Sequence, residues 1–284
     1  MRKTWFITGA SRGFGALIAA RALERGDDVV ATARKPETVT ERFGEHPDLL
    51  AVALDVTDEA QAHEAARAAV ERFGSIDVLV NNAGYGLLGA VEEATAAEVE
   101  AIYRTNVFGL LAVTRAVLPH MRRQRSGRIL NLSSIGGYAA AAGFGVYCST
   151  KFAVEGLSEA LAAELAPLGI HVTVIEPGYF RTDFLDGTSL SVSPTQIADY
   201  QETAGATRAH ATEANHNQPG DPAKLAAVLV DFVEAPDPPV RLPLGSDTVA
   251  RIEAENAATA ALLDSWRSVA VSTDFAAAAS AGKR

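Results

Sequence analysis

The sequence predicts a doubly wound α/β fold, one parallel β-sheet of about seven strands with helices on both faces. Three observations carry this. Short apolar runs alternate with longer helical patterns along the chain, the order that builds right-handed β-α-β crossovers. The apolar runs lack a clean in-out alternation, as strands covered on both faces do. The first run opens into a glycine-rich turn followed by an amphipathic helix, the usual first joint of such a sheet.

Taken in order, TWFI (4–7) is the first strand, and ALIAARALERG is a helix closed by Gly26. DVVAT (28–32) and LLAVAL (49–54) are the next strands, and DEAQAHEAARAAVERFG (58–74) is a helix again closed by a glycine. DVLV (77–80) and RILNL (128–132) follow as strands. In KFAVEGLSEALAAELAPLG (151–169), Val154, Leu157, Leu161 and Leu165 recur at spacings of 3 and 4, one face of a helix. HVTVIE (171–176) and VRLPL (240–244) complete the sheet. No linker or repeat divides the chain, so 1–284 is read as a single domain. The polar stretch 183–220 is an insert, expected to be a functional lid or disordered because it is long for a strand-to-helix connection. Residues 276–284 are expected to be a frayed tail.

Composition narrows the function classes. The 284 residues are 48% hydrophobic and 21% charged, a balance that supports a packed core and argues against wholesale disorder. A net charge of −10 disfavours a nucleic-acid surface, which needs a basic stripe. The single cysteine, Cys148, allows no internal disulfide and fits a reducing compartment, where it is read as an inert small residue. No window approaches the ~20 apolar residues of a membrane span, and the N-terminal apolar run is far too short for a signal peptide. A cytoplasmic protein is expected. The histidines offer no metal cluster: His210, Glu213 and His216 share a helical spacing but lie in the polar insert.

The turn TGASRGFG carries Gly9, Gly13 and Gly15, with Ser11, Arg12 and Phe14 between them. Such a turn brings backbone N–H groups and a helix N-terminus against a pyrophosphate. At the end of the second strand, where an acid selects NAD, stand Ala33 and then Arg34, with Arg12 near the same corner. Arginine there suits a 2′-phosphate, so NADP(H) is favoured over NAD(H); Glu37 is the competing ribose ligand. In LDVTD, Asp55, followed by Val56, can accept an adenine amino proton or cap the helix that follows. NNAG, with Asn82, Ala83 and Gly84, closes strand four with small residues that let a flat ligand approach.

TGASRGFG, LDVTD, NNAG, NVFG (106–109), NLSS (131–134), YCSTK (147–151) and EPG (176–178) occur in the order of the short-chain dehydrogenase/reductase family, which the chain resembles over about residues 4 to 250. The resemblance implies a Rossmann-type fold and a catalytic tetrad of Asn106, Ser134, Tyr147 and Lys151. Tyr147 would be the general acid/base. Ser134 would bond the reacting oxygen. Lys151 would also hold the nicotinamide ribose, and Asn106 would fix a water that relays protons. Pro177 and Gly178 would line the nicotinamide, with Thr182 on its carboxamide or on the phosphates. A homodimer or homotetramer, paired through the helices around 95–119 and 147–166, is also implied.

The chemistry stands beside the resemblance. A free tyrosine titrates near pH ~10, so Tyr147 needs a lower pKa to exchange a proton at neutral pH. Lys151, four residues on along a helix, is close enough to favour the phenolate. The alternatives are structural: Tyr147 as a core tyrosine with a bonded hydroxyl, Ser134 as a strand end, and Asn106 satisfying buried backbone.

Leu87, Leu88, Ala139 to Ala142, Phe144, Tyr179, Phe180, Phe184 and Leu185 are the candidate pocket walls. They imply a hydrophobic or medium-sized carbonyl compound or secondary alcohol. EPGYFRTDF and the long insert resemble the branch that contains 17β-hydroxysteroid and retinol dehydrogenases. Two other classes compete: a non-catalytic NADP-binding sensor, and a sugar-nucleotide epimerase or dehydratase. The latter shares Y-x-x-x-K but usually has a different glycine spacing and a larger C-terminal domain.

Overall fold

A computed structural model describes residues 2–275; the expected tail at 276–284 lies outside them. In chain order its strands are β1 (Thr4–Ile7), β2 (Asp28–Ala33), β3 (Leu49–Ala53), β4 (Val78–Asn81), β5 (Gly86–Leu88), β6 (Gly127–Leu132), β7 (Ile170–Pro177), β8 (Leu190–Val192) and β9 (Arg241–Leu244). Seven of them form one sheet of order β3-β2-β1-β4-β6-β7-β9, parallel throughout. The seven predicted strands are these seven, displaced by at most one residue at an end.

The helices are α1 (Gly13–Glu24), α2 (Glu37–Phe43), α3 (Glu59–Phe73), α4 (Ala96–Tyr103), α5 (Leu110–Gln124), α6 (Gly145–Leu165), α7 (Ala206–Ala214), α8 (Pro222–Phe232) and α9 (Ser246–Val271). They cover both faces of the sheet, and side-chain alternation explains why its strands look uniformly apolar. Trp5 and Ile7 of β1 join Val78 and Val80 of β4 in a layer with Ile18 of α1 and Leu229 of α8. Between them, Phe6 and Leu79 point the other way, into a layer with Ala66 of α3 and Val113 of α5. Both faces are dry, so both residue sets must be apolar.

Local signals set the helix ends. Asp58 caps α3 by accepting from Ala60 N and Gln61 N, and Gly74 ends it in a left-handed conformation that favours glycine. The helix predicted over 151–169 begins at Gly145. It ends at Leu165, where a 3₁₀ turn containing Pro167 leads to left-handed Gly169. Between α4 and α5, residues Arg104–Gly109 form a π-turn, a distortion that recurs at functional sites.

The 183–220 stretch is folded. Its β8 pairs in parallel with β5, Gly86 opposite Leu190 and Leu88 opposite Val192. Its α7 is fastened by a buried ion pair, Arg208 to Glu93 at 2.7 Å. Glu93 also accepts from Ile197 N at 2.8 Å and Ala90 N at 2.7 Å. This segment covers the C-terminal end of the sheet, the edge at which open α/β sheets bind ligands.

Candidate active site

The glycine turn joins β1 to α1. Gly9 and Gly13 have φ of +64° and +55°, the left-handed region. Gly15 is required for a different reason. A Cβ there would lie 2.5 Å from the Gly9 carbonyl and 2.6 Å from Asn82 Nδ2. The turn is braced from β4: Asn82 Nδ2 donates to the carbonyls of Thr8 and Gly9, and the Thr8 hydroxyl accepts from Asn82 N and Ala83 N. Thr8, 1% exposed, is a brace that motif reading missed.

These residues fit a dinucleotide. No side chain caps the N-terminus of α1, and a Cβ on Gly13 would meet no heavy atom within 4 Å. The turn therefore leaves open space beside uncapped N–H groups, as a pyrophosphate needs. At the adenosine corner Ala33 is buried and Arg34 exposed, with no carboxylate at the end of β2. Arg12 stands in the glycine turn and is exposed. Its guanidinium donates to the Thr188 carbonyl in the insert, tying the glycine turn to the segment that covers it. Asp55 accepts from the backbone and hydroxyl of Thr57. It does not cap α3; Asp58 does, because the helix starts after it. Val56 is buried against Gly109 of the π-turn.

At the other end of the crevice, α6 brings up Tyr147 and Lys151. Both are 8% exposed. The Lys151 Nζ lies 5.7 Å from the Tyr147 ring centre and donates to the Leu132 carbonyl at 2.8 Å. Ser134, just past β6, reaches the same place. Its hydroxyl accepts from Gly136 N at 3.0 Å, and a Cβ on Gly136 would lie 3.5 Å from Ser134 Oγ and 3.6 Å from the Tyr147 ring. Asn106, held in the π-turn, pairs with the backbone of Tyr85 through both amide atoms and donates to Thr150 Oγ1 at 3.2 Å. It nevertheless borders Lys151: a Cβ on Gly84 would lie 3.1 Å from Asn106 Oδ1 and 3.9 Å from Lys151 Nζ.

The electrostatics differ from the simple expectation of a lysine-lowered phenol. Burial comes first and pushes Tyr147 above the ordinary tyrosine value, with the Ser134 hydroxyl pulling the other way. Burial also lowers Lys151 to about 8, opposed by the charge of Glu155. Cys148 is buried and its thiol is pushed up, leaving little nucleophilic thiolate.

On the far wall, Gly178 fits because a Cβ would lie 2.2 Å from Asp247 Oδ2, the same carboxylate that accepts from Tyr179 N at 2.7 Å. Thr182 caps the 3₁₀ turn Asp183–Leu185 by accepting from Phe184 N. Phe184 then packs on Tyr147, ring centres 5.7 Å apart, and Phe144 lies 5.9 Å away on another side. Leu87, Leu88, Leu185 and Leu190 belong to the same apolar cluster. Phe180 does not. It turns away to stack edge-on against Phe14 of the glycine turn at 5.5 Å. Between β5 and the insert lies a cavity of about 410 Å³, lined by Leu88, Leu185, Leu190, Val192 and Ala211 together with polar Asp186, Arg208, Thr212 and Asn215. His210 and His216 part: the first stacks on Tyr179, the second lies beside Asp186.

The short chain dehydrogenase family pattern matches residues 3–191. The chain belongs to that family. It is 41% identical over 276 residues, 96% of its length and 100% of the relative's, to Oxidoreductase BOA17 of Botryotinia fuckeliana. It is 40% identical over 239 residues to a 3-ketodihydrosphingosine reductase of Bacteroides thetaiotaomicron, covering 84% of this chain and 86% of that one. The crystal structure of a short-chain dehydrogenase from Streptomyces avermitilis superposes with a TM-score of 0.89 at 42% identity, covering 97% of this chain and 100% of that one. More distant members of known structure hold nicotinamide cofactors. A 3-ketoacyl-(acyl-carrier-protein) reductase from Brucella melitensis (30% identity, TM-score 0.71, 85% and 96% covered) is complexed with NADH. ElxO (26%, 0.72, 88% and 100%) has NADP bound. This short-chain dehydrogenase is thus an oxidoreductase with a Rossmann-type, nicotinamide-binding fold. Among its described residues no helix is long and apolar enough to cross a membrane.

Proposed function

We propose that this oxidoreductase is NADP(H)-dependent and interconverts a carbonyl and a secondary alcohol on a hydrophobic or medium-sized substrate. The observation that carries the reading is the buried Tyr147 with Lys151 Nζ 5.7 Å from its ring centre and Ser134 beside it.

A bound nicotinamide supplies or accepts the hydride. Gly9, Ser11, Gly13, Phe14 and Gly15 would hold its pyrophosphate end, Arg34 the 2′-phosphate, and Asp55, Val56, Asn82, Ala83 and Gly84 the adenosine side. Pro177, Gly178 and Thr182 would hold the nicotinamide, and Lys151 its ribose. The rest falls to the chain. The Ser134 hydroxyl holds the substrate oxygen. Tyr147 gives its proton to that oxygen in reduction and takes it back in oxidation. A phenol that burial keeps protonated suits the acid half. The Lys151 ammonium stabilises the phenolate left behind, and Asn106 steadies the route by which the proton is replaced.

The substrate class is supported by the wall that Phe144, Phe184, Leu87 and Leu185 form around Tyr147. Relatedness to a 3-ketodihydrosphingosine reductase is in keeping with it. Phe108 and Phe152, exposed on the π-turn and α6, support a homo-oligomer paired through these helices.

The test is a panel of aliphatic and aromatic carbonyls and their alcohols, with NADPH and NADH, followed at the reduced-nicotinamide absorbance. Turnover of apolar carbonyls with NADPH is expected. Tight NADPH binding without turnover of any of them would point to a sensor instead.

A further inference from the structure

We propose that Glu155 is a positioning residue for the Tyr147–Lys151 pair, a buried carboxyl that shares one proton with Glu176 and whose charge decides whether Lys151 stays an ammonium. This rests on the proposed function only in that Lys151 acts on Tyr147.

Helix α6 places Tyr147, Lys151 and Glu155 at i, i+4 and i+8, one ladder on one face. Glu155 is 3% exposed, and neither of its carboxylate oxygens has a hydrogen-bond partner among the described residues. An anion that accepts no hydrogen bond in such a place is costly. Glu176, 1% exposed, comes up from β7 immediately before Pro177. Arg241 from β9 stands between them, 3.4 Å from Glu155 and 3.1 Å from Glu176, but it is also held by Glu159 at 2.7 Å. One guanidinium therefore faces three carboxyls, two of them buried. Two adjacent buried carboxylates do not both ionise readily, so one proton stays with the pair.

The groups facing Glu155 are Lys151 and Glu159 from α6, Glu176 from β7, and Arg241 from β9. The Ser133 hydroxyl, just beyond β6, is also near: a Cβ on Gly137 would lie 2.5 Å from it and 3.0 Å from Glu155 Oε1. Tyr138 faces the site through Arg241, whose guanidinium lies 5.4 Å from its ring centre. Burial raises both Glu155 and Glu176 above the usual glutamate range, and the neighbouring Glu176 charge raises Glu155 further.

On its other side Glu155 is the charge that opposes the loss of the Lys151 proton to burial. With Glu155 ionised, Lys151 remains cationic and the phenolate at Tyr147 has its counter-charge. With Glu155 protonated, the ammonium has only the Leu132 carbonyl for support. One buried carboxyl thereby links the acid pair beneath the nicotinamide loop to the proton donor.

The test is lysine-selective ¹³C NMR titration of the full-length protein without cofactor, with the Lys151 signal assigned by its loss in Lys151→Met. Lys151 is expected to titrate at about 8 in the wild type. Glu155→Gln should lower that midpoint by about one unit or more, and Glu155→Asp should restore most of it. The fall in carbonyl-reduction rate at alkaline pH should move down by the same amount. A Lys151 midpoint unchanged by Glu155→Gln overturns the proposal. Should that variant not fold, glutamate carboxyl titration of the wild type decides. A carboxyl still protonated at about pH 6, against ~4.3 for a free glutamate, is expected; none above about pH 5.5 overturns it. Retained turnover in Tyr147→Phe with a shifted Lys151 midpoint would instead sink the catalytic reading and leave the Glu155 coupling standing.

Discussion

The Lys151 ammonium lies 5.7 Å from the centre of the Tyr147 ring, with both side chains buried and the lysine anchored to the Leu132 carbonyl. A cation in that position costs stability, and in the proposed mechanism it favours the phenolate, so its removal should have opposite effects on folding and on catalysis.

Lys151→Met should make the protein more stable at neutral pH while removing turnover. Burial lowers Lys151 from 10.5 to about 8, a penalty of about 3 kcal/mol at ~1.4 kcal/mol per unit, offset by roughly 1 kcal/mol for the lost hydrogen bond. The sign follows from proton uptake: between about 8 and 10.5 the unfolded chain binds the extra proton, so wild-type stability from this group rises with pH there. Denaturant unfolding should show the variant ahead by about 1–3 kcal/mol at pH 7 and the gap closing towards pH 10. A less stable variant at pH 7 would contradict the burial penalty.

Arg34→Ala should weaken NADPH about tenfold or more and NADH little, since a charge-assisted hydrogen bond is worth ~1.5–3 kcal/mol. Fluorescence titration of both cofactors checks this. Equal losses would remove the 2′-phosphate assignment.

Arg208→Ala should loosen the insert without unfolding the sheet. Hydrogen exchange over 183–215 should quicken several-fold, KM for a bulky carbonyl should rise, and β1, β4 and β6 should keep their protection. The Arg208 contact and two backbone donors lower Glu93 from 4.5 to about 2. The stabilisation from this latch is therefore complete above about 4.5 and lost as pH falls towards 2, so the protection of wild-type insert amides relative to their intrinsic exchange rates should fall in that window. Uniform exchange in variant and wild type would show that the pair does not hold the insert.

Gly15→Ala should lose cofactor binding and stability together, because the new methyl would sit 2.5 Å from the Gly9 carbonyl, against backbone that cannot swing aside. Gly26→Ala serves as control. It meets no atom within 4 Å, though unlike Gly15 it has a positive φ of +83°, and should cost stability of order 1 kcal/mol without touching binding. Normal cofactor affinity in Gly15→Ala would contradict the close turn.

Much of the sheet was legible in the sequence because a strand buried on both faces is apolar at most positions, as Trp5, Phe6 and Ile7 are. The glycine turn was legible because few other residues fit it. The insert was not: β8 is three residues long and is specified by its distant partner β5, and the segment after it by Glu93, which holds Ile197 and Arg208, rather than by its own period. The contact of Arg12 was not legible for the same reason, since its partner, Thr188, is remote in the chain. The rise of Tyr147 and the Glu155–Glu176 pair depend on burial and on which strands become neighbours, neither of which can be read from residue spacing.

The most direct measurement is the turnover of Tyr147→Phe on an apolar carbonyl that the wild type reduces, with NADPH affinity measured on the same preparation. NADPH binding within about twofold of wild type and turnover lower by about a hundredfold or more are expected, the scale of a lost general acid. Near-normal turnover with intact binding would contradict the role of Tyr147 as proton donor.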